Sequence, residues 1–199
     1  MVTIGLTGGV GAGKSLLLAF LHDKYNAFVI EADKVGHQVM EPGMLCYGPV
    51  IELFGPGIIK KDKTLDRRAI SDIVFTETEK RQQLDDIIHP AVKRVIREEL
   101  QKEALAGRKL AIVEAALLLE DNYQAFCDEV WYVYVDEDTR VKRLMDGRGY
   151  SEEKARSIMA AQKPDSFYRE YADFVIDNSG EPEEAMEQII ERLTAYEIL

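Results

Sequence analysis

Gly8-Gly9-Val10-Gly11-Ala12-Gly13-Lys14-Ser15 fits G-x-x-x-x-G-K-[ST], the pattern of a phosphate-binding loop. Its context strengthens the reading. An apolar run, Val2-Thr3-Ile4-Gly5-Leu6, precedes it as a strand, and a helical pattern over Leu17 to Lys24 follows it. A glycine-rich turn with a chance lysine would need neither neighbour. Glycines reach backbone angles closed to other residues, so successive N–H groups turn toward phosphate oxygens. The helix that starts there adds unpaired N–H groups and its dipole. Lys14 is placed to reach the β- and γ-phosphates, and the Ser15 hydroxyl to ligate Mg²⁺. The rival pattern G-x-G-x-x-G fails, because from Gly9 it would need glycine where Lys14 stands, which argues against a dinucleotide-binding domain.

Apolar runs recur at Ala27–Ile30, Leu110–Glu114, Val130–Val135 and Phe174–Ile176. Each is apolar on successive positions, as strands buried on both faces of a parallel sheet are. The predicted fold is α/β: a P-loop NTPase three-layer sandwich with a five-stranded parallel sheet. Between the second and third strands, about Ala32 to Lys109, the pattern is helical, and a helical substrate subdomain is expected over about 34–108. Thr76-Glu77-Thr78-Glu79 reads as a capping box at a helix start. His89-Pro90 reads as a break, followed by a helix from Ala91 to about Ala106 that stops at Gly107. A short helix over Asp138–Met145 precedes Gly147-Arg148-Gly149, a flexible start for a lid over about 145–171. The last helix is expected over Pro182–Tyr196. The whole reads as one P-loop domain that includes the helical subdomain and the lid.

With 199 residues, 46% hydrophobic and 31% charged, the composition is that of a globular protein. The net charge of −11 argues against nucleic acid or an anionic membrane as a partner. Cys46 and Cys127 lie far apart, outside any C-x-x-C pair, so neither zinc nor a disulfide is expected. The first residues run straight into strand and loop, and no membrane-length apolar run occurs, so no leader and a cytoplasmic protein are expected; a monomer is favoured, with a weak oligomer left open.

A GTPase would need D-x-x-G after the third strand, together with N-K-x-D. D-x-x-G occurs at Asp33–Gly36, Asp146–Gly149 and Asp177–Gly180, never there, and N-K-x-D is absent. A small-molecule kinase needs an acceptor-orienting group, cations and a lid. Asp33 follows the second strand at the carboxyl edge where ligands bind, though it also suits a helix N-cap. Glu114 ends the third strand as a candidate Mg²⁺ carboxylate, or as a cap for the next segment. Arg148 is placed to fold over phosphates. Arg140 and Arg143 read more readily as a solvated helix face. Trp131 and Tyr132 read as core, and His22 and His37 as helical residues without a role.

Further landmarks are Ile30-Glu31-Ala32-Asp33, Glu41-Pro42-Gly43, Phe54-Gly55, Arg67-Arg68, Phe75, His89-Pro90, Leu117-Leu118-Leu119-Glu120, Gln162 and Ala172 through Gly180. In this order, with the loop, they resemble the dephospho-coenzyme A kinase family over nearly the whole chain. The resemblance implies ATP and dephospho-CoA as partners, with Mg²⁺ as cofactor. Gly8, Gly11, Ala12, Gly13, Lys14, Ser15 and Leu16 would hold the phosphates, and Asn178 and Gly180 would lie near the adenine. Ser15 and Glu114 would hold Mg²⁺. Dephospho-CoA would lie on the helical segment, with Asp33, Arg67, Arg68, His89 and Glu114 as contacts. Asp33 would act as base, and Lys14 and Arg148 would carry developing charge. Arg67-Arg68 also reads as a solvated helix start, and His89 as a turn residue. Three positions depart from the family pattern: Leu16 stands for Thr, Glu31 for Asp and Ala116 for Pro. At residue 16 the backbone N–H is expected to remain available for the α-phosphate. Rival readings are a nucleoside monophosphate kinase and a non-catalytic ATP-binding switch.

Overall fold

The structure is a computed structural model, and it describes residues 1–196. Its strands are β1 (Val2–Thr7), β2 (Phe28–Glu31), β3 (Leu110–Glu114), β4 (Glu129–Tyr134) and β5 (Phe174–Asp177). Its helices are α1 (Lys14–Tyr25), α2 (Ala32–Gln38), α3 (Tyr47–Phe54), α4 (Arg67–Thr76), α5 (Thr78–Leu105), α6 (Glu137–Arg148), α7 (Glu152–Ala160), α8 (Asp165–Tyr171) and α9 (Pro182–Thr194). The strands form one five-stranded parallel α/β sheet in the order β2-β3-β1-β4-β5. Central β1 pairs with both β3 and β4, so that Ile4 lies beside Ile112 on one side and Glu129 on the other.

Alternation along the strands explains the layers. Ile4 and Leu6 of β1, Trp131 and Val133 of β4 and Ile176 of β5 share a core with Leu17 and Leu21 of α1 and Ile189 and Leu193 of α9. The intervening residues face the other way. There Tyr132 stacks on Tyr168 of α8, with ring centroids 4.9 Å apart, and Leu118 packs so close to Gly5 that a Cβ would meet it at 2.9 Å. Covering both faces is what allows the strands to be apolar throughout. Trp131 is fully buried, donates its indole N–H to Glu129 at 2.7 Å and meets Phe174 edge-on.

The chain divides into two compact units, Met1–Ile30 with the chain from Glu103 on, and Glu31–Lys102. In the second unit, Asp66 caps α4 by accepting from the N–H groups of Arg68 and Ala69. Helix α5 differs from expectation. It runs unbroken through His89-Pro90, with Pro90 inside it. Proline removes one helical hydrogen bond, at a cost of about 3 kcal/mol in a helix interior. Val92, Ile96 and Leu100 lie along one buried stripe, and that packing carries the helix through. Nor does Thr76 open the next helix as a capping residue. It ends α4, where its hydroxyl donates back to the carbonyls of Asp72 and Ile73, and α5 starts at Thr78. Helix α6 also overruns its predicted end. It continues through Gly147 to Arg148 and is closed by Gly149 at φ 64°, a left-handed angle glycine adopts without strain.

Candidate active site

Between β1 and α1 the loop closes on itself, the Ala12 N–H donating to the Gly9 carbonyl at 3.1 Å. Gly8 must be glycine because the sheet leaves no room: a Cβ there would lie 2.7 Å from the Val133 carbonyl oxygen. Gly13 is constrained twice, by φ 83° and by Asn178, whose Nδ2 would sit 2.6 Å from a Cβ. At the first turn of α1, Ser15 and Leu16 are exposed. The Leu16 N–H, expected to remain available, donates to the Gly13 carbonyl at 3.2 Å in that first turn.

Lys14 folds back over the loop. Its Nζ donates to the Gly8 carbonyl at 2.8 Å and lies 3.4 Å from Glu114 Oε1. Glu114 ends β3 and is only 8% exposed, so the sheet edge presents a fixed carboxylate beside the loop lysine. Glu114 is thus ion-paired with the loop lysine at the end of its strand. From the loop after β5, Asn178 Nδ2 donates to the Ala12 carbonyl at 2.8 Å. Gly180 packs against Glu184, where a Cβ would strike the carboxylate. Thr7 Oγ1 at the end of β1, Asn178 Oδ1 and Arg143 Nη1 are buried beside this loop without a hydrogen-bond partner. Buried polar atoms of that kind call for an explanation, and clustering around a phosphate loop provides one.

Helix α6 departs from its reading as a solvated face. Arg140 Nε donates to the Val10 carbonyl at 3.2 Å, and its Nη2 donates to Gln162 Oε1 at 2.7 Å. The same Gln162 oxygen accepts the Val10 N–H at 3.2 Å. Arg143 Nη1 is buried near Gly13, 3.7 Å from where a Cβ would stand. Arg148 is exposed in the last turn of α6, where a cation complements the helix dipole. A cavity of about 670 Å³ opens beside this group, lined in part by Tyr132, Tyr134, Arg140, Arg156, Gln162 and Lys163.

In the helical unit, Asp33 is exposed in the first turn of α2. Glu31 is the N-cap residue, so Asp33 is not the cap its alternative reading made it. Arg67 Nη2 donates to Glu41 at 2.7 Å and to the His37 carbonyl at 3.5 Å. Arg68 is exposed beside it. Both stand at the solvated start of α4. Half-buried His89 lies mid-helix, its Nε2 3.7 Å from Asp85.

Comparison with known proteins identifies the relatives. A family model described as dephospho-CoA kinase matches residues 2–184. The chain belongs to that family. A dephospho-CoA kinase of Shouchella clausii (strain KSM-K16) is 37% identical over 196 residues, 98% of this chain and 99% of that one. A crystal structure of TT1252 from Thermus thermophilus is similar with a TM-score of 0.83 and 29% identity, covering 98% of this chain and 97% of that chain. A dephospho-CoA kinase structure from Campylobacter jejuni shares the fold with a TM-score of 0.73 at 23% identity, covering 96% and 95% of the two chains. Members of the family phosphorylate dephospho-CoA with ATP, the last step of coenzyme A synthesis. No helix among the described residues is long and apolar enough to cross a membrane.

Reading the sequence found Lys14, Ser15, Glu114 and Asn178, and the structure brings Lys14 and Glu114 together and sets Asn178 on the loop. It preferred a solvated face for Arg140 and Arg143 over a place near the phosphates, and gave no role to Gln162. The signal available for Gln162 was its place among the family landmarks. For Arg140 the partner itself left no signal, because it meets Val10 across 130 positions of chain.

Proposed function

We propose that this chain transfers the γ-phosphoryl group of ATP to the ribose 3′-hydroxyl of dephospho-CoA. The family match over residues 2–184 carries the reading. The bond between the 3′ oxygen and the γ-phosphorus forms as the bond from that phosphorus to the β–γ bridging oxygen breaks. ADP leaves with the electron pair, and the hydroxyl proton passes to a base.

Asp33 is that base. It accepts a hydrogen bond from the hydroxyl, orients it and takes the proton late. Its exposure in the first turn of α2 leaves the carboxylate open to an acceptor. Lys14 and Arg148 hold the charge that develops on the phosphoryl oxygens and the leaving group. The loop from Gly8 to Leu16 orients the phosphates, and Asn178 and Gly180 border the adenine. Arg67 and Arg68 hold the acceptor through its phosphates, and His89 is a further contact on the acceptor side.

The donor set suits Mg²⁺. Ser15 and Glu114 offer one hydroxyl and one carboxylate, hard oxygen ligands of the kind Mg²⁺ takes sparingly while keeping waters and substrate phosphates. Ser15 and Glu114 would hold the ion, which would supply positive charge to neutralise the charge of the phosphates. Positioning dominates the rate, since aligning hydroxyl and phosphoryl group supplies on the order of 7–11 kcal/mol.

The test is transfer from ATP·Mg²⁺ to dephospho-CoA, read by mass spectrometry of the acceptor, with AMP, CMP and shikimate run beside it. Coenzyme A as the only phosphorylated product is expected. Transfer to a nucleotide instead would overturn the acceptor assignment. ATP binding without transfer to anything would favour a non-catalytic switch.

A further inference from the structure

We propose that Arg140 and Gln162 are positioning residues that set the direction of the phosphate-loop N–H groups. They do so by holding both peptide groups of Val10 from outside the loop.

Val10 lies in the phosphate loop between Gly9 and Gly11. Its N–H belongs to the peptide joining residues 9 and 10, and its carbonyl to the peptide joining 10 and 11. Gln162 Oε1 holds the first at 3.2 Å, and Arg140 Nε holds the second at 3.2 Å. Among the described residues all peptide bonds are trans. In a planar trans peptide the carbonyl and the N–H point in opposite directions. Fixing the Val10 carbonyl on Arg140 therefore turns the Gly11 N–H to the opposite side, away from the guanidinium. Fixing the Val10 N–H on Gln162 turns the Gly9 carbonyl to the opposite side, where it accepts the Ala12 N–H at 3.1 Å. Two side chains thus define both peptide planes at the crown of the loop.

They are themselves tied together. Arg140 Nη2 donates to the same Gln162 oxygen at 2.7 Å, so one acceptor serves two donors. The guanidinium presses on Gly9, where a Cβ would lie 2.2 Å from Nη2. Arg140 comes from α6, and Gln162 from the turn after α7. The α6–α7 segment and the loop are thereby one mechanical piece, and a shift of that segment changes the loop's hold on phosphate. The inference rests on the kinase reading only in that ATP is the ligand of the loop.

ATP·Mg²⁺ binding by calorimetry without acceptor tests it, on the parent protein, Arg140→Ala, Gln162→Ala, the double variant and Gln162→Glu. Each alanine variant should raise the ATP Kd on the order of tenfold, the scale of a lost hydrogen bond to a charged group. Because the two side chains share one oxygen, the double variant should be weaker than either single, but by less than the product of the two losses. Gln162→Glu keeps the acceptor and should recover most of the affinity. In turnover, KM for ATP should rise while KM for dephospho-CoA stays within about twofold. Unchanged ATP affinity in both alanine variants would overturn the proposal. So would losses that simply multiply in the double variant, or a Gln162→Glu as weak as Gln162→Ala. A parent that binds no ATP would overturn the kinase reading itself. A parent that binds ATP but ignores dephospho-CoA would overturn the acceptor assignment and leave this proposal to the binding data.

Discussion

Around the phosphate loop the Lys14 and Glu114 side chains are 16% and 11% exposed, whereas in the helical unit Arg67 and Glu41 are 46% and 45% exposed. The same contrast runs through the other contacts. Asn178 reaches the Ala12 carbonyl from a buried position, and Arg140 and Gln162 grip Val10 from half-buried ones. Asp33 and Arg68 stand in solvent. Buried, hydrogen-bonded charges are fixed when the protein folds, and their groups need little rearrangement during reaction. Exposed ion pairs contribute roughly 0–1 kcal/mol and exchange readily for a ligand. The polar groups around the phosphate loop are therefore set by folding, whereas those of the helical unit stay open to exchange.

The largest effect should come from the exposed side of that contrast. Asp33→Asn should lower turnover on the order of 10²–10⁴-fold while leaving ATP binding intact. Steady-state rates and calorimetry check this, and full activity would remove Asp33 from its role. Lys14→Ala should cost on the order of 100- to 1000-fold in turnover and weaken ATP as well. It also leaves Glu114 without that cation, so its melting temperature should fall more than that of Arg148→Ala, whose arginine is exposed. Equal stability losses in the two variants, read by calorimetry, would erase the contrast between built and open positions. Arg148→Ala should still cut turnover strongly.

Acid should sharpen the comparison next. Burial pushes the Glu129 carboxyl up, but hydrogen bonds from Arg192, Trp131 and Tyr196 outweigh it and hold its pKa below the ordinary Glu value. A depressed folded pKa stabilises above the unfolded value of about 4.3 and is lost as pH falls through the folded value. The melting temperature of the parent should therefore drop on acidification below about pH 4.3, and Glu129→Gln should flatten that part of the curve. The smallest effect belongs to Arg67→Ala. Its melting temperature should hardly move, given an exposed partner, while KM for dephospho-CoA rises. A large stability loss would show that Arg67 is structural.

Much of this was legible in the sequence, for physical reasons. The β3 strand matches its expected span, Leu110–Glu114, because a strand buried on both faces leaves an unbroken apolar run. The loop was legible because phosphate chemistry demands glycine at closely spaced positions. Pro90 misled because its cost is local, whereas the packing of Val92, Ile96 and Leu100 that offsets it is not. Gly147 misled in the same way, lying inside α6 rather than opening a flexible stretch. Arg140 was illegible for a different reason. A helical cation looks solvated until the chain brings up its partner, and here that partner is a backbone carbonyl, which sequence never marks.

Trp131 is the chain's one tryptophan, and it sits in the core of the sheet-bearing unit. Its emission therefore reports on that unit alone, with no label added. Far-ultraviolet dichroism reports on helices in both units. Following the two signals through one denaturant titration separates the units optically. Superimposed transitions would mean that they unfold as one cooperative block. Dichroism lost ahead of fluorescence would mean that the helical unit, Glu31–Lys102, lets go first and is the part that opens most easily.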